Sequence, residues 1–411
     1  MTRIVLLGGG YVTLHAYAGL VRGLRSRVRR GEVEIVVISA DHSHRFHGFT
    51  GELLAGDIRP DRLATPLAEA MPLARIERGV ATAIDPHAHT VTYEGDAGER
   101  TLAYDHLVVG TGAREPVAAV PGLAEHARTL RGVDEIAALG DHVRSTRCGE
   151  VVVIGGGVAG AEIAAAIAKR GRRVTLVHSG DRVLGAWDDQ PALVGAAARD
   201  LADAGVTLRL GVRVTEADAT GIALSDGTRL RADTIVAAVG ERPVVVPGLD
   251  AWRDRRGRLI TRRDLAVRAG VWAAGDAAAV VHPVTGLLVP ADALWAIKGG
   301  EHLGRQLARV VAGRAPRPFR YRGLGRAAAF GVGRGIAELY GIPFTGRMAW
   351  MLRLTFFLRF MPSRSRAAGV VADLAAAVAR SVRDAQAQRR HHSYMTTAPA
   401  ALALIDRVEP N

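Results

Sequence analysis

A single cysteine, Cys148, stands among 411 residues. One thiol can neither close an internal disulfide nor form a paired-cysteine redox centre, so both are excluded. Lysine is almost as scarce, with only Lys169 and Lys298 present. Arginine therefore carries the basic charge, and so uniform a bias is read as charge rather than as guanidinium-specific chemistry. Long apolar runs are missing too: none approaches the roughly 20 residues of a bilayer-spanning helix. The chain passes from Met1-Thr2-Arg3 straight into the apolar run Ile4–Leu7, without the layout of a secretory leader. A cytosolic chain is expected. The pair His391-His392 is too short a cluster to hold a metal, and none is expected. Hydrophobic residues at 48% against charged residues at 23% exclude disorder as the main state and suffice for two or three cored domains.

The formal charge of +13 is unevenly placed. Residues 300–411 hold 18 Arg and 6 acidic residues, a balance of +12, whereas residues 1–299 hold 36 basic and 35 acidic residues. A basic surface in the last quarter fits anionic lipid or an acidic protein. No nucleic acid is expected, because no recognised binding module surrounds these arginines.

Arg3–Gly8 is a short apolar run of the kind a doubly covered parallel strand requires. It enters Gly8-Gly9-Gly10, a helical segment to about Arg30 and a second strand, Glu34–Ser39. Glu150–Ile154, Gly155-Gly156-Gly157, a helix over Ala159–Arg170 and Arg173–His178 repeat the pattern. A strand, glycine turn, helix and strand form half of a dinucleotide-binding unit, so the duplication predicts two nucleotide-binding domains. Tyr104–Gly112 and Asp233–Gly240 share a layout of acid, apolar strand and glycine, each followed by a proline (Pro116, Pro243) that marks a crossing between domains. Val271–Ala277 reads as a buried strand ending in Gly275-Asp276, and Ala291–Val311 as a helix. Val371, Leu374, Val378 and Val382 form an apolar stripe at helical spacing. The polar tail from about Arg389 is expected to be mobile.

Gly155-x-Gly157-x-x-Gly160 sits between strand and helix, the context a phosphate-binding turn needs. Its first glycine permits the turn, the second admits a pyrophosphate and the third lets helix and strand close up, with free N–H groups facing the phosphates. The earlier copy, Gly8-x-Gly10-x-x-Thr13, has threonine at the third glycine.

Taken in order, Gly8–Thr13, Thr111-Gly112-Ala113, Gly155–Gly160 and Gly275-Asp276 give the chain a pattern that resembles the two-dinucleotide-binding-domain flavoproteins. Those enzymes bind FAD in one domain and NAD(P)H in the other, and the resemblance covers about residues 1–330. It implies an α/β fold of two Rossmann-like dinucleotide-binding domains with a C-terminal helical membrane-association region. Residues 1–115 and 246–325 would bind FAD, 116–245 NAD(P)H, and 326–411 would form the basic terminal region. It assigns Gly8, Gly10, Thr13, Ser39, Glu52, Thr111, Gly112, Gly275 and Asp276 to FAD, with Ala293 opening a helix at the same site. Asp276 would hold the ribityl chain. Gly155, Gly157, Gly160 and the ribose position His178 fall to NAD(P)H.

Within that family the chain is most similar to type II NADH:quinone oxidoreductases. The likeness rests on His44-Arg45-Phe46-His47 with Glu52–Gly56, on Glu162, on Pro121-Gly122, and on Phe319-Arg320-Tyr321, Gly323, Gly333, Gly346 and Ala349-Trp350. It implies a quinone acceptor, with Glu162 and Lys298 near the reaction centre. Four further positions depart from the family. The acid that usually holds each ribose diol is replaced by Ser39, with Asp41 nearby, and by His178. Arg172, Arg173 or Arg182 could then meet a 2′-phosphate, so NADH and NADPH stay open. The family's two quinone-site glutamines are replaced by Leu294 and Lys298, while the N-terminus of their helix still offers its dipole to a reduced, anionic flavin.

Met348–Met361 is too short to span a bilayer and studded with Arg353 and Arg359. The reading adopted is an interfacial helix whose arginine stems reach lipid phosphates while Trp350, Phe356, Phe357 and Phe360 enter the acyl region. The rivals are a buried helix, whose arginines would need partners, and a homodimer interface. The expected protein is thus a peripheral flavoenzyme on the cytoplasmic face of the inner membrane, moving electrons from NAD(P)H to a quinone-like acceptor. The alternatives are a soluble reductase of an acidic carrier protein and a non-enzymatic NAD(P)H sensor.

Overall fold

The computed structural model describes residues 1–130, 133–145, 149–380 and 382–383, so Cys148, His391-His392 and the polar tail lie outside the described residues. The apolar runs become the centres of two sheets. The larger has eight strands in the order Ala266–Arg268, Val271–Ala273, His106–Val109, Thr2–Leu7, Val33–Ser39, Arg75–Asp85, Thr90–Gly95 and Gly98–Ala103. Its middle five strands are parallel and its ends antiparallel. Covered on both faces, Ile4, Val5 and Leu6 are fully buried, which is why this strand reads as unbroken apolar sequence.

The second sheet is wholly parallel: Ala127–Arg128, Thr234–Ala237, Glu150–Ile154, Arg173–His178 and Val206–Leu210. Two crossing segments join the sheets, and they pair with each other, Ala113 opposite Pro243 and Arg114 opposite Arg242. Of the prolines flagged in the sequence, Pro243 lies in that crossing and Pro116 follows it by two residues.

Five helices position the site: α1 (Tyr11–Arg29), α2 (Thr50–Leu54), α3 (Val158–Ala168), α4 (Ala293–Val311) and α5 (Gly346–Phe360). α1 and α4 cross almost in backbone contact. A Cβ on Gly300 would lie 2.5 Å from the Val12 carbonyl oxygen, and one on Gly19 would lie 2.9 Å from Gly304 Cα. That crossing holds the first turns of α4 beside the first glycine loop.

The terminal region has the expected helices and, before them, a sheet the sequence did not suggest. It opens with a three-stranded antiparallel sheet, Gly325–Gly331, Arg334–Leu339 and Ile342–Thr345, before α5 and a further helix over 364–380. The first two of these strands hold several Gly and Ala, so they carry little of the bulk that marks a strand in sequence. The stripe at 371–382 splits: Leu374 is buried, whereas Val371, Val378 and Val382 are exposed. Among the described residues no helix is long and apolar enough to cross a membrane.

The structure also corrects the side-chain disposition expected of α5. Arg353 points inward and is buried, and Trp350, Phe356, Phe357 and Phe360 are half-buried against the protein. Its outward side presents Met348 and Met351. Arg359 alone of the two arginines stays exposed.

Candidate functional site

The two glycine turns are built on one plan. Gly8 and Gly155 take φ of +94° and +115°, where a side chain would be strained. A Cβ on Gly8 would also stand 2.5 Å from the Gly110 carbonyl oxygen. Past each turn the space opens: nothing lies within 4 Å of where a Cβ on Gly10 or Gly157 would sit. α1 and α3 begin at those glycines with no side-chain cap and no acid in the first turn. Both therefore leave N–H groups and a positive dipole end for an anion.

Gly160 allows close packing, since its Cβ would strike the Gly155 carbonyl. Thr13 meets the same demand differently. It is fully buried and its hydroxyl donates to the Leu7 carbonyl at 3.4 Å. Thr111 donates to the Val244 carbonyl at 3.2 Å, tying the crossing segments, and Gly112 beside it faces open space. Gly275 and Asp276 share the lining of a small cavity with Trp295 and Gly299 of α4.

These features fit FAD at the first turn. The open cradle at Gly10 suits a pyrophosphate, and two buried imidazole nitrogens, Nε2 of His44 beside Gly9 and Nε2 of His15 on α1, have no hydrogen-bond partner among the described residues. Burial pushes both imidazoles down to about 4, so they are neutral at pH 7. His44 Nδ1 lies 2.9 Å from the Gly9 carbonyl oxygen.

Ser39 and His178 each end the second strand of their unit. Ser39 is buried with its Oγ accepting from the Asp41 N–H at 3.2 Å. Asp41 itself is paired with Arg45 at 3.1 Å. In the second unit His178 packs on the turn, its Cγ 2.7 Å from where a Cβ on Gly156 would be. Arg172 donates to the carbonyls of Val143 and Ser145, and Arg173 pairs with Glu150 at 2.9 Å, both at the strand's other end. Only Arg182 stays near His178, paired with Asp181 at 3.1 Å.

The structure brings Glu52 and Glu162 together through a residue that sequence reasoning aimed at lipid. Arg353 Nη1 donates to Glu52 Oε1 at 2.7 Å, and Nη2 lies 3.2 Å from Glu162 Oε1. Glu162 Oε1 also accepts from the Ala329 N–H at 2.8 Å. The guanidinium stands 5.1 Å from the Phe357 ring centroid and 5.9 Å from that of Phe49, inside cation–π range. Burial raises the Glu162 carboxyl above its ordinary range and outweighs Arg353. The neighbouring Glu52 carboxylate adds a smaller push in the same direction. The available signal was an arginine in an apolar helix with no acid within a turn, which demands a carboxylate elsewhere in the chain.

Lys298 lies apart from this triad. Its Nζ is 3.1 Å from Glu301 Oε2 and 5.2 Å from the Phe360 ring centroid. His15 of α1 meets the same phenyl ring edge-on at 6.0 Å. Ala293 begins α4, but the free helix end expected there is occupied. Asp292 caps it, accepting from the Trp295 N–H at 2.9 Å, and burial pushes that carboxyl up to about 6. An adjacent carboxylate offsets the dipole there, a point missed because capping was not weighed in the sequence.

Comparison with known proteins agrees with this geometry. Residues 2–300 match the family model described as pyridine nucleotide-disulphide oxidoreductase. An NADH dehydrogenase-like protein of Mycobacterium tuberculosis is 33% identical over 303 residues, covering 68% of this chain and 73% of that protein. Demethylphylloquinone reductase of a Synechocystis strain is 25% identical over 381 residues, covering 88% and 92%. The solved structure of NDH2 from Plasmodium falciparum with NADH superposes with a TM-score of 0.78 at 12% identity, over 91% of this chain and 97% of that one. With two glycine-turn units, their paired crossing and a match over most of its length, the chain belongs to the pyridine nucleotide-disulphide oxidoreductase family, as an FAD-dependent oxidoreductase of NAD(P)H.

Proposed function

We propose that this protein takes a hydride from NAD(P)H and passes electrons to a quinone-like, lipid-soluble acceptor at a membrane surface. The observation carrying this reading is the convergence on α5. Arg353 ties α5 to Glu52 of α2 and Glu162 of α3, while Phe360 walls the side where Lys298 stands. The activity named for the Synechocystis relative supports a quinone.

In this reading residues 1–115 and 246–325 hold FAD, and 116–245 hold the nicotinamide nucleotide. Bound FAD supplies redox chemistry that accepts electrons in pairs and releases them singly or in pairs. The N–H groups at the starts of α1 and α3 seat the two pyrophosphates, and Asp276 holds the polyol linker. Overall, NAD(P)H, a proton and a quinone give NAD(P)⁺ and a quinol, so one proton beyond the hydride is required. The Glu162 carboxyl, whose pKa burial raises above the ordinary range, is the group proposed to pass on that proton, and the Lys298 ammonium stabilises negative charge on the reduced acceptor. The Met348 and Met351 side of α5 rests in the membrane interface, with Arg347, Arg364 and Arg359 near headgroup phosphates.

A Lys298→Met variant separates the two halves of the reaction. Reduction by NAD(P)H should be retained, and reoxidation by a quinone analogue should slow by roughly tenfold or more. Equal slowing of both halves would count against Lys298 at the acceptor. Protein that stays off anionic vesicles and is reoxidised only by an acidic carrier protein would shift the acceptor to a soluble partner.

A further inference from the structure

Between α4 and the segment 317–321 runs an open groove of ≈ 670 Å³. Four cations, Lys298, Arg305, Arg317 and Arg320, line it against one carboxylate, Glu301. Glu301 is engaged by Lys298 at 3.1 Å and lies 3.9 Å from Arg305. Neither Arg317 nor Arg320 has a side-chain ion pair among the described residues. The groove therefore carries three uncompensated positive charges, a field that draws in anions.

Its walls are fixed rather than loose. Buried Gln306 accepts from the Arg317 N–H at 2.8 Å, and the N–H of buried Phe319 donates to the Arg263 carbonyl at 2.7 Å. His302, only 5% exposed, lines the groove, and its Nε2 has no hydrogen-bond partner among the described residues. One wall continues into an apolar hairpin tip. There Val281, Val284, Leu287 and Leu288 are 50%, 62%, 71% and 47% exposed. The tip is tied on by His282, whose Nε2 is 3.2 Å from the Arg322 carbonyl oxygen and whose ring stands 5.3 Å from Trp295. Trp295 in turn packs on Tyr321 of the groove at 4.8 Å.

We propose that this groove is a headgroup site for an anionic phospholipid, with the 281–288 tip entering the bilayer beside it. A basic groove alone would accept any anion. Joined to four exposed apolar side chains, it fits an anion that carries an apolar body. The proposal deepens the membrane-surface reading but stands on residues outside the terminal helices. It gives the protein a second lipid contact, reaching along α4 to Lys298.

The test is co-sedimentation of the FAD-loaded full chain with vesicles of phosphatidylcholine alone or mixed with phosphatidylglycerol. Arg317→Glu with Arg320→Glu should weaken binding to the phosphatidylglycerol vesicles by roughly tenfold or more, because each cation near an anionic surface adds to the attraction. Turnover with a water-soluble quinone and the thermal midpoint should stay unchanged. Val284→Asp with Leu287→Asp should weaken binding comparably. Unchanged binding in the arginine variant would overturn the proposal. So would inorganic phosphate displacing the protein at matched ionic strength, since the site would then be for a small phosphate ligand. Met348→Asp with Met351→Asp tests the other contact. Loss of binding in that variant alone removes the groove and keeps the terminal-helix reading, whereas loss in the groove variants alone does the reverse.

Discussion

Arg353→Met removes one charge from the most buried ion cluster among the described residues while keeping the length and apolar stem of the side chain. Arg353 and Glu52 are 3% and 4% exposed at their side chains and Glu162 is 11% exposed. Deleting one partner of a buried pair leaves an uncompensated charge and costs about 3–5 kcal/mol. Here two carboxylates would face each other without a cation, so the upper part of that range is expected. The chain is too large for one two-state midpoint to report this. Hydrogen exchange in α5 is the better assay, because it reads local opening, and protection there should fall by roughly 10²- to 10³-fold or more. The pH dependence has a definite sign. Without Arg353 the Glu162 carboxyl, already raised by burial, loses the cation that lowers it and rises further above its unfolded value, so the folded variant binds more protons than the unfolded chain. Its deficit against wild type should therefore be full at neutral pH and shrink as pH falls through the raised pKa. Adding Glu162→Gln should restore part of the loss, as expected for directly coupled residues. A loss under about 1 kcal/mol, or a deficit that grows on acidification, would refute a buried, charged triad.

Other outcomes follow from the same structure. His44, His15 and His302 have pKa values lowered to about 4 by burial. Their contribution is present above the unfolded value near 6.5 and is lost as pH falls toward about 4. Thermal stability should drop across that window, and His302→Phe should flatten the drop; an unchanged profile would contradict the burial. His178→Glu restores a ribose-holding carboxylate and should shift kcat/KM toward NADH over NADPH by roughly tenfold or more. Nucleotide binding, followed by tryptophan fluorescence, should shift the same way, and a parallel change for both nucleotides would remove His178 from the ribose site. Gly155→Ala should cost more than about 1 kcal/mol, because φ is +115° and a Cβ would strike the Ala238 carbonyl. Nicotinamide nucleotide binding should weaken with it, measured by titration; unchanged stability and binding would show that the turn relaxes freely.

Much of the fold was legible because its signals are local. Ile4–Leu7 and Val151–Ile154 read as buried parallel strands from unbroken apolar residues, and each glycine turn lies within a few positions of its strand and helix. The crossing was marked by Pro116 and Pro243 close to the segments that pair. The triad was not legible in the same way. Arg353 is 301 residues from Glu52, and no spacing rule links a terminal helix to a carboxylate so distant. An apolar helix carrying arginines is equally consistent with lipid and with a buried partner, and tertiary packing alone decides between them. The strands at 325–345 escaped notice because small residues at a sheet position look like a loop, and the exposed tip at 281–288 because its valines and leucines resemble any short strand pair.

The central claim is that electrons pass from NAD(P)H through the flavin to a quinone. Rapid mixing of the FAD-loaded protein with NADH or NADPH, then with a quinone analogue, tests it directly through flavin absorbance. The account predicts bleaching by at least one nicotinamide nucleotide, followed by recovery of the oxidised spectrum within each quinone addition over repeated cycles. Bleaching with no recovery by any quinone would contradict it.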